Sequence, residues 1–198
     1  TKPTFANQLK YCYQFFSWLI KIICQKVLKK GIRWGVGYQF TSDWKSSVIR
    51  KSKRIKNPSN HFLADPFLIF KNNQHYCFVE DYDYSISRGS VAVYEIKKDS
   101  CTKLGMALSE DFHLSYPYLF NYRDDLYMCP ETSEANDIRI YKCLEFPLKW
   151  GLHKTIMSNI SAGETNIFEY NELWWMLTNI DSSNLNDHSS ELHLFYSE

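Results

Sequence analysis

Six polar residues recur at fixed offsets in this chain and could do chemistry: Asp65 with Glu80, Tyr116 with Glu131, and Glu164 with Asn179. Each pair opens and closes one copy of a repeated segment. The copies begin Asp65-Pro66-Phe67-Leu68-Ile69, Tyr116-Pro117-Tyr118-Leu119-Phe120 and Glu164-Thr165-Asn166-Ile167-Phe168. An aromatic (Tyr76, Tyr127, Trp175) stands at a common distance inside every copy. A carboxylate so placed is solvated, hydrogen-bonded to a neighbouring backbone, or used to accept ligand hydrogen bonds or carry a proton. An Asp before Pro also caps turns. His61 and His113 stand just upstream of the first two copies, where they either donate hydrogen bonds to a ligand at the same rim or are satisfied within the fold. No further His or carboxylate lies at metal-ligand spacing, so no metal is expected and nothing calls for a cofactor.

Short strands must position these residues. The copies start 51 and 48 residues apart, and a period near fifty built of strands predicts an all-β fold of the β-propeller type. Strands are expected at 62–70, 75–81, 90–96 and 103–108, with Asn72-Asn73 in the first hairpin and Arg88-Gly89 in the loop before the third strand. A second unit is expected at 115–122, 125–131, 137–143 and 151–157. A third is expected at 164–170, 173–179 and 191–197, without its fourth strand. The repeats thus start near 62, 113 and 162, and the last blade is incomplete. In an antiparallel pair, the start of one strand and the end of the next share one end of the sheet. The six polar positions are therefore expected around one opening. Phe67, Ile69, Tyr118, Phe120 and Phe168 should hold the blades together, with Leu68, Leu119 and Ile167 on the opposite side of each strand.

Residues 8–30 predict an amphipathic helix, with Leu9, Cys12, Tyr13, Phe16, Leu19, Ile20, Ile23 and Val27 at three-and-four spacing and Gly31 ending it. Residues 1–31 are accordingly expected as helix and linker, and 32–198 as the propeller domain. Lys21 interrupts the apolar run, which argues against a transmembrane span. The helix either packs on or links domains, or makes peripheral contact with a membrane through its aromatics and lysines. Trp34 to Phe40 reads as a strand, and the basic run from Arg50 to Lys56 as a solvated loop or an anion-binding segment. The aromatic content of 17%, with 14 Tyr and 13 Phe, suits pleated sheets. A net charge of +1 gives no steering toward nucleic acid, and none is expected as a partner. The six cysteines form no CxxC pair and are expected as buried free thiols in the cytoplasm. A chain starting at Thr1, with a strand ending at Tyr196, reads as a fragment of a longer protein.

Several of these motifs occur in order: His61 to Glu80, His113-Leu114-Ser115-Tyr116-Pro117, Pro130-Glu131-Thr132-Ser133, Phe146-Pro147 with Trp150, and Leu192 to Tyr196. Together they resemble the five-bladed propeller domain at the N-terminus of plant glucosamine inositolphosphorylceramide transferases, over residues 32–198. Similar domains occur in bacterial proteins, some attached to sugar formyltransferase-like domains. The wider group is the five-bladed glycoside hydrolase superfamily that includes family 43. That likeness implies an Asp as general base at the start of an inner strand, a second Asp in an Asp-Pro motif that tunes the acid, and a Glu as general acid in a later blade. Asp65-Pro66 matches the base motif, and Glu164-Thr165 takes the tuning place with both residues changed. The acid would fall beyond Glu198. An inverting glycosidase needs two carboxyl groups about 6.5–9.5 Å apart, one protonated and one ionised. Glu131 or Glu80 could take the protonated role.

The reading is a carbohydrate-directed domain that binds, and in one version processes, a glycan or sugar conjugate within a larger glycan-biosynthesis protein carrying an attached transferase domain. Asp65, Glu131 and Glu164 are the candidate catalytic residues, and His61, Glu80, His113, Tyr116 and Asn179 the candidate substrate-binding ones. If an enzyme, it would be glycoside hydrolase-like and inverting, or glycosyltransferase-associated. The expected location is cytoplasmic, at the periphery of a membrane. The alternative is a non-catalytic scaffold that docks a partner domain or a membrane through the N-terminal helix.

Overall fold

The computed structural model describes residues 4–27, 34–183, 185 and 187–197. The chain divides into two units, Thr1–Arg33 and Trp34–Glu198. The first holds one helix, α1 (Phe5–Val27), which starts earlier than its apolar periodicity predicts. Thr4 caps it: its hydroxyl accepts from the Asn7 N–H at 3.4 Å and its carbonyl from the Gln8 N–H at 3.1 Å. The expected last turn, Lys29-Lys30-Gly31, lies outside the described residues. No helix among the described residues is long and apolar enough to cross a membrane. Cys12 and Cys24 are exposed on α1, against the expectation of buried thiols, because a single helix has no interior of its own. Cys77 and Cys129 are buried as expected, and burial pushes both thiols up to about 12, which keeps them protonated and unreactive.

In the second unit the strand expected over Trp34–Phe40 shrinks to β1 (Gly37–Tyr38). It pairs with β2 (Lys53–Arg54), so part of the basic run expected as loop is a short strand, while Arg50, Lys51, Arg54 and Lys56 stay exposed. Lys53 is tied to Asp99 at 2.6 Å. Val36 and Ile55, buried beside these strands, join Leu63, Cys77, Val79, Ala92, Tyr94 and Ile96 in one apolar cluster.

Three antiparallel sheets follow, each in simple up-and-down order and laid out like consecutive propeller blades. The first is β3 (His61–Lys71), β4 (Gln74–Asp83), β5 (Arg88–Ile96) and β6 (Cys101–Leu108). The second is β7 (Ser115–Tyr122), β8 (Asp125–Glu131), β9 (Asp137–Glu145) and β10 (Lys149–Ser158). The third has β11 (Ala162–Tyr170), β12 (Leu173–Ile180) and β13 (Leu192–Ser197). Every strand expected from the repeat is present. Asn72-Asn73 forms the first hairpin with both residues at positive φ (51° and 59°), the geometry that matches strand twist. Arg88-Gly89, expected in a loop, instead opens β5, where Gly89 pairs with Tyr82.

The main core lies between the first two sheets. Phe78, Val91, Val93, Leu114 and Met128 are fully buried there. Phe146 sets its ring edge-on to Tyr76 at 4.8 Å, and Trp150 to Phe78 at 5.7 Å. Between the second and third sheets, Tyr118 and Phe120 pack with Cys129, Ile138, Ile167, Trp174 and Met176. Phe168 departs from its expected role. It is 37% exposed, while its neighbour Ile167 is buried against the second sheet. Its face points away from the second sheet, and among the described residues no further sheet covers it.

Candidate functional site

The same irregularity opens every inner hairpin. In β3 and β4, Ala64 pairs with Glu80 and Phe67 with Phe78, so Asp65-Pro66 opposes Val79 alone. Between β7 and β8, Ser115 pairs with Glu131 and Tyr118 with Cys129, which bulges Tyr116-Pro117. Between β11 and β12, Gly163 pairs with Asn179 and Asn166 with Leu177, which bulges Glu164-Thr165. The first residue of each bulge is left-handed, at φ 46° for Asp65, 46° for Tyr116 and 52° for Glu164. Such a conformation costs a non-glycine residue roughly 1–3 kcal/mol and collects at functional sites. The bulge re-aims these three side chains out of the regular alternation. Proline as the second bulge residue in two copies has no N–H to leave unpaired. In the third copy Thr165 instead bonds its hydroxyl to that of Thr178 at 2.8 Å.

Carboxylates of one sheet hold the bulge of the next. Asp65 Oδ2 accepts the Tyr116 N–H at 3.2 Å, and Glu131 Oε2 accepts the Glu164 N–H at 3.3 Å. The expected positions are thus brought together from three sheets. Asn179 donates to Glu164 Oε2 at 3.2 Å, and Ser133 to Glu131 Oε1 at 3.0 Å. Tyr116 is engaged in packing: its ring meets Phe67 at 4.9 Å and its hydroxyl donates to Asn166 at 3.2 Å.

Glu80 is the buried member of the group, its side chain 7% exposed. Burial, and then the charges of Asp65, Glu131 and Asp81, push its carboxyl up to about 8, so it is largely protonated at neutral pH. His113 stands beside it. Its Nδ1 accepts the Gly89 N–H at 2.9 Å, which leaves the proton of the neutral ring on Nε2, 3.5 Å from Glu80 Oε1. Burial lowers the His113 pKa against the opposing pull of Glu131, Glu134 and Asp65, which favours that neutral ring. His61 belongs to a different set of contacts, with Nδ1 2.6 Å from Asp81 Oδ1 and Nε2 3.6 Å from Asp83. Lys103 completes it, at 2.6 Å from the other oxygen of the buried Asp81. Among the described residues no cluster of His, Cys, Asp and Glu has the geometry of a metal site.

A cleft of about 440 Å³ opens onto this group, with Asp65 and Glu80 at its polar end and Trp34, Gly35 and Phe62 among its walls. A second cleft of about 540 Å³ lies between the second and third sheets, lined by aromatics such as Tyr122, Trp174 and Phe195 and, among the described residues, by no carboxylate. At the first cleft, a carboxylate that accepts and a protonated carboxyl that donates can bind paired hydroxyl groups. Sequence reasoning did not single out Trp34 or Gly89. Gly89 has a sharp requirement: a Cβ there would lie 2.4 Å from the Leu114 carbonyl oxygen, 2.7 Å from His113 Cε1 and 3.0 Å from Glu80 Oε1. Gly89→Ala is expected to cost about 1–3 kcal/mol of stability, because backbone cannot yield to the added methyl. Urea unfolding with an unchanged slope would show it, and an unaltered midpoint would contradict it.

Comparison with known proteins adds the lineage. Residues 46–198 match the family described as glucosamine inositolphosphorylceramide transferase 1, N-terminal. The rice protein (Oryza sativa subsp. japonica) named glucosamine inositolphosphorylceramide transferase 1 is 33% identical over 142 residues, which is 71% of this chain and 19% of that protein. The Arabidopsis thaliana protein of the same name is 34% identical over 142 residues, 71% of this chain and 18% of its own length. The chain therefore spans about a fifth of these relatives. A solved exo-1,5-alpha-L-arabinanase from a bovine ruminal metagenomic library aligns with a TM-score of 0.44 at 12% identity, covering 81% of this chain and 63% of that one. With three bulged hairpins on one frame and the match running from residue 46 to 198, the chain belongs to the family of glucosamine inositolphosphorylceramide transferase 1 N-terminal domains.

Proposed function

We propose that this chain is a carbohydrate-directed domain, built as blades of a five-bladed propeller, that holds a glycan or sugar conjugate for an attached transferase. The observation that carries this reading is the pairing of Asp65 and Glu80 at the end of one cleft. Asp65 is aimed by its bulge, and one of its oxygens is taken by the Tyr116 N–H. Its other oxygen accepts a sugar hydroxyl. Glu80, protonated near neutrality, donates to a neighbouring one. Sugar hydroxyls are both donors and acceptors, and this pair addresses both roles. Membership of the family supports the reading, since the named relatives are glucosamine inositolphosphorylceramide transferases.

The test is a glycan array followed by calorimetry on the intact protein and on Asp65→Asn. The amide keeps an oxygen for the Tyr116 N–H but removes the charge. Affinity is expected to fall about tenfold or more, as for loss of one hydrogen bond to a charged group. Binding that is unchanged in the mutant sinks the site. Release of reducing sugar by the wild type, lost in the mutant, would favour the second reading. There Glu80 would serve as acid and Asp65 as base of an inverting hydrolase.

A further inference from the structure

The cleft that ends in Asp65 and Glu80 has a wall that the repeats do not supply. Trp34 precedes the first strand of its unit, yet it is one of the residues lining this cleft and is 63% exposed. A tryptophan left in water forfeits a large apolar area unless something covers it. Its backbone is fixed: the carbonyl accepts from Asn57 Nδ2 at 2.7 Å, and two residues on, the Val36 carbonyl accepts the Ile55 N–H at 2.9 Å. The indole N–H has no hydrogen-bond partner among the described residues. Gly35 and Gly37 follow it in the lining. The lining also includes Phe62, itself stacked on Tyr82 at 4.7 Å.

We infer that Trp34 is the stacking platform of a single sugar ring, whose hydroxyl edge meets Asp65 and Glu80. This rests on the carbohydrate reading above and deepens it to a ligand with one flat, apolar C–H face and one edge of adjacent hydroxyls. The aromatic covers the apolar face, and the carboxyl pair takes the polar edge. A cleft of about 440 Å³ suits one ring better than an extended oligosaccharide. A linear polyol has the hydroxyls without the rigid face and lacks the stacking half of the recognition. Trp34 thereby selects for ring shape, while Asp65 and Glu80 select for hydroxyl placement.

The experiment uses the intact protein labelled with 5-fluorotryptophan, with Trp34→Phe identifying the Trp34 fluorine resonance. Glucosamine, N-acetylglucosamine and arabinose are the probes, and glycerol is the polyol control. The expected result is a Trp34 shift that saturates with at least one sugar and not with glycerol. Calorimetry should show Trp34→Ala weakening that sugar about tenfold and Trp34→Phe weakening it much less. If a sugar binds in an Asp65-dependent way while the Trp34 resonance stays still and Trp34→Ala binds equally well, the inference falls and the carbohydrate reading stands. If the wild type binds none of these sugars and nothing on the glycan array, both fall together.

Discussion

Replacing Glu80 by glutamine is expected to remove a loss of stability that the wild-type protein suffers as pH rises from about 4.5 to about 8. The folded carboxyl titrates near 8, against 4.5 for the free group. Between these values the folded state keeps a proton that the unfolded chain has released. The folded state then binds more protons, so unfolding free energy falls with rising pH through the window. Below about 4.5 both states are protonated and the effect vanishes; above about 8 the penalty is complete. Each unit of separation corresponds to about 1.4 kcal/mol, so the full penalty is on the order of a few kcal/mol. Glutamine has no charge to bury, keeps an acceptor for the His113 Nε2 proton, and supplies a donor where the protonated acid had one. Urea midpoints of wild type and Glu80→Gln should converge at the acid end and separate at the alkaline end, with the mutant the more stable. Parallel curves across the window would show that Glu80 is ionised throughout. Asp65→Asn should also move the wild-type window to lower pH, since the Asp65 charge is the next contributor after burial.

Trp150→Ala is expected to cost about 3–5 kcal/mol, as for other large-to-small truncations of aromatic side chains in a core. Trp150 is 8% exposed and lies in the cluster that joins the first two sheets. Its ring meets Phe78, which is fully buried, and its Nε1–H donates to the Pro147 carbonyl at 2.8 Å. Among the described residues no strand pairing links these sheets, so side-chain burial of this kind joins them, alongside the hydrogen bond from the Tyr116 N–H to Asp65. Truncation leaves a cavity whose walls belong to two separate sheets. Trp150→Phe keeps a ring on Phe78 and loses only part of the area and one hydrogen bond, so it should cost less than half as much. Equilibrium unfolding in urea reads both. An alanine variant within about 1 kcal/mol of wild type would show that this cluster does not hold the sheets together.

Local patterns set the strands of the three repeated sheets: alternating apolar residues bounded by turn formers placed each of these to within a few positions. Asn72-Asn73 marked its turn because asparagine tolerates the left-handed backbone that the turn needs. The strand at Gly37–Tyr38 is shorter than the Trp34–Phe40 that the pattern predicts, since its partner, β2, is itself only two residues long and lies in a basic run that reads as loop. Phe168 was misplaced for a different reason. Its offset matches Ile69 and Phe120, but whether such a residue is buried depends on a following sheet, and a strand carries no local signal of its neighbour.

The site divides along the same line. Spacing alone put Asp65, Glu80, Tyr116, Glu131, Glu164 and Asn179 at one end of their hairpins, because strand alternation and antiparallel return are local geometry. It also sets His61 and His113 just upstream of the first two copies, at offsets that differ by one residue, and tertiary contacts separate them. His61 joins the Asp81 and Lys103 set, whereas His113 is locked by Gly89 against Glu80. The bulges, the raised pKa of Glu80 and the approach of Trp34 to the cleft were equally out of reach. Each depends on residues far apart in the chain meeting at a few ångströms, as when Asp65 binds the backbone of Tyr116. Linear order establishes which residue types recur and at what intervals. Burial and proximity establish which of them carries a proton, and those quantities exist only after the sheets have packed.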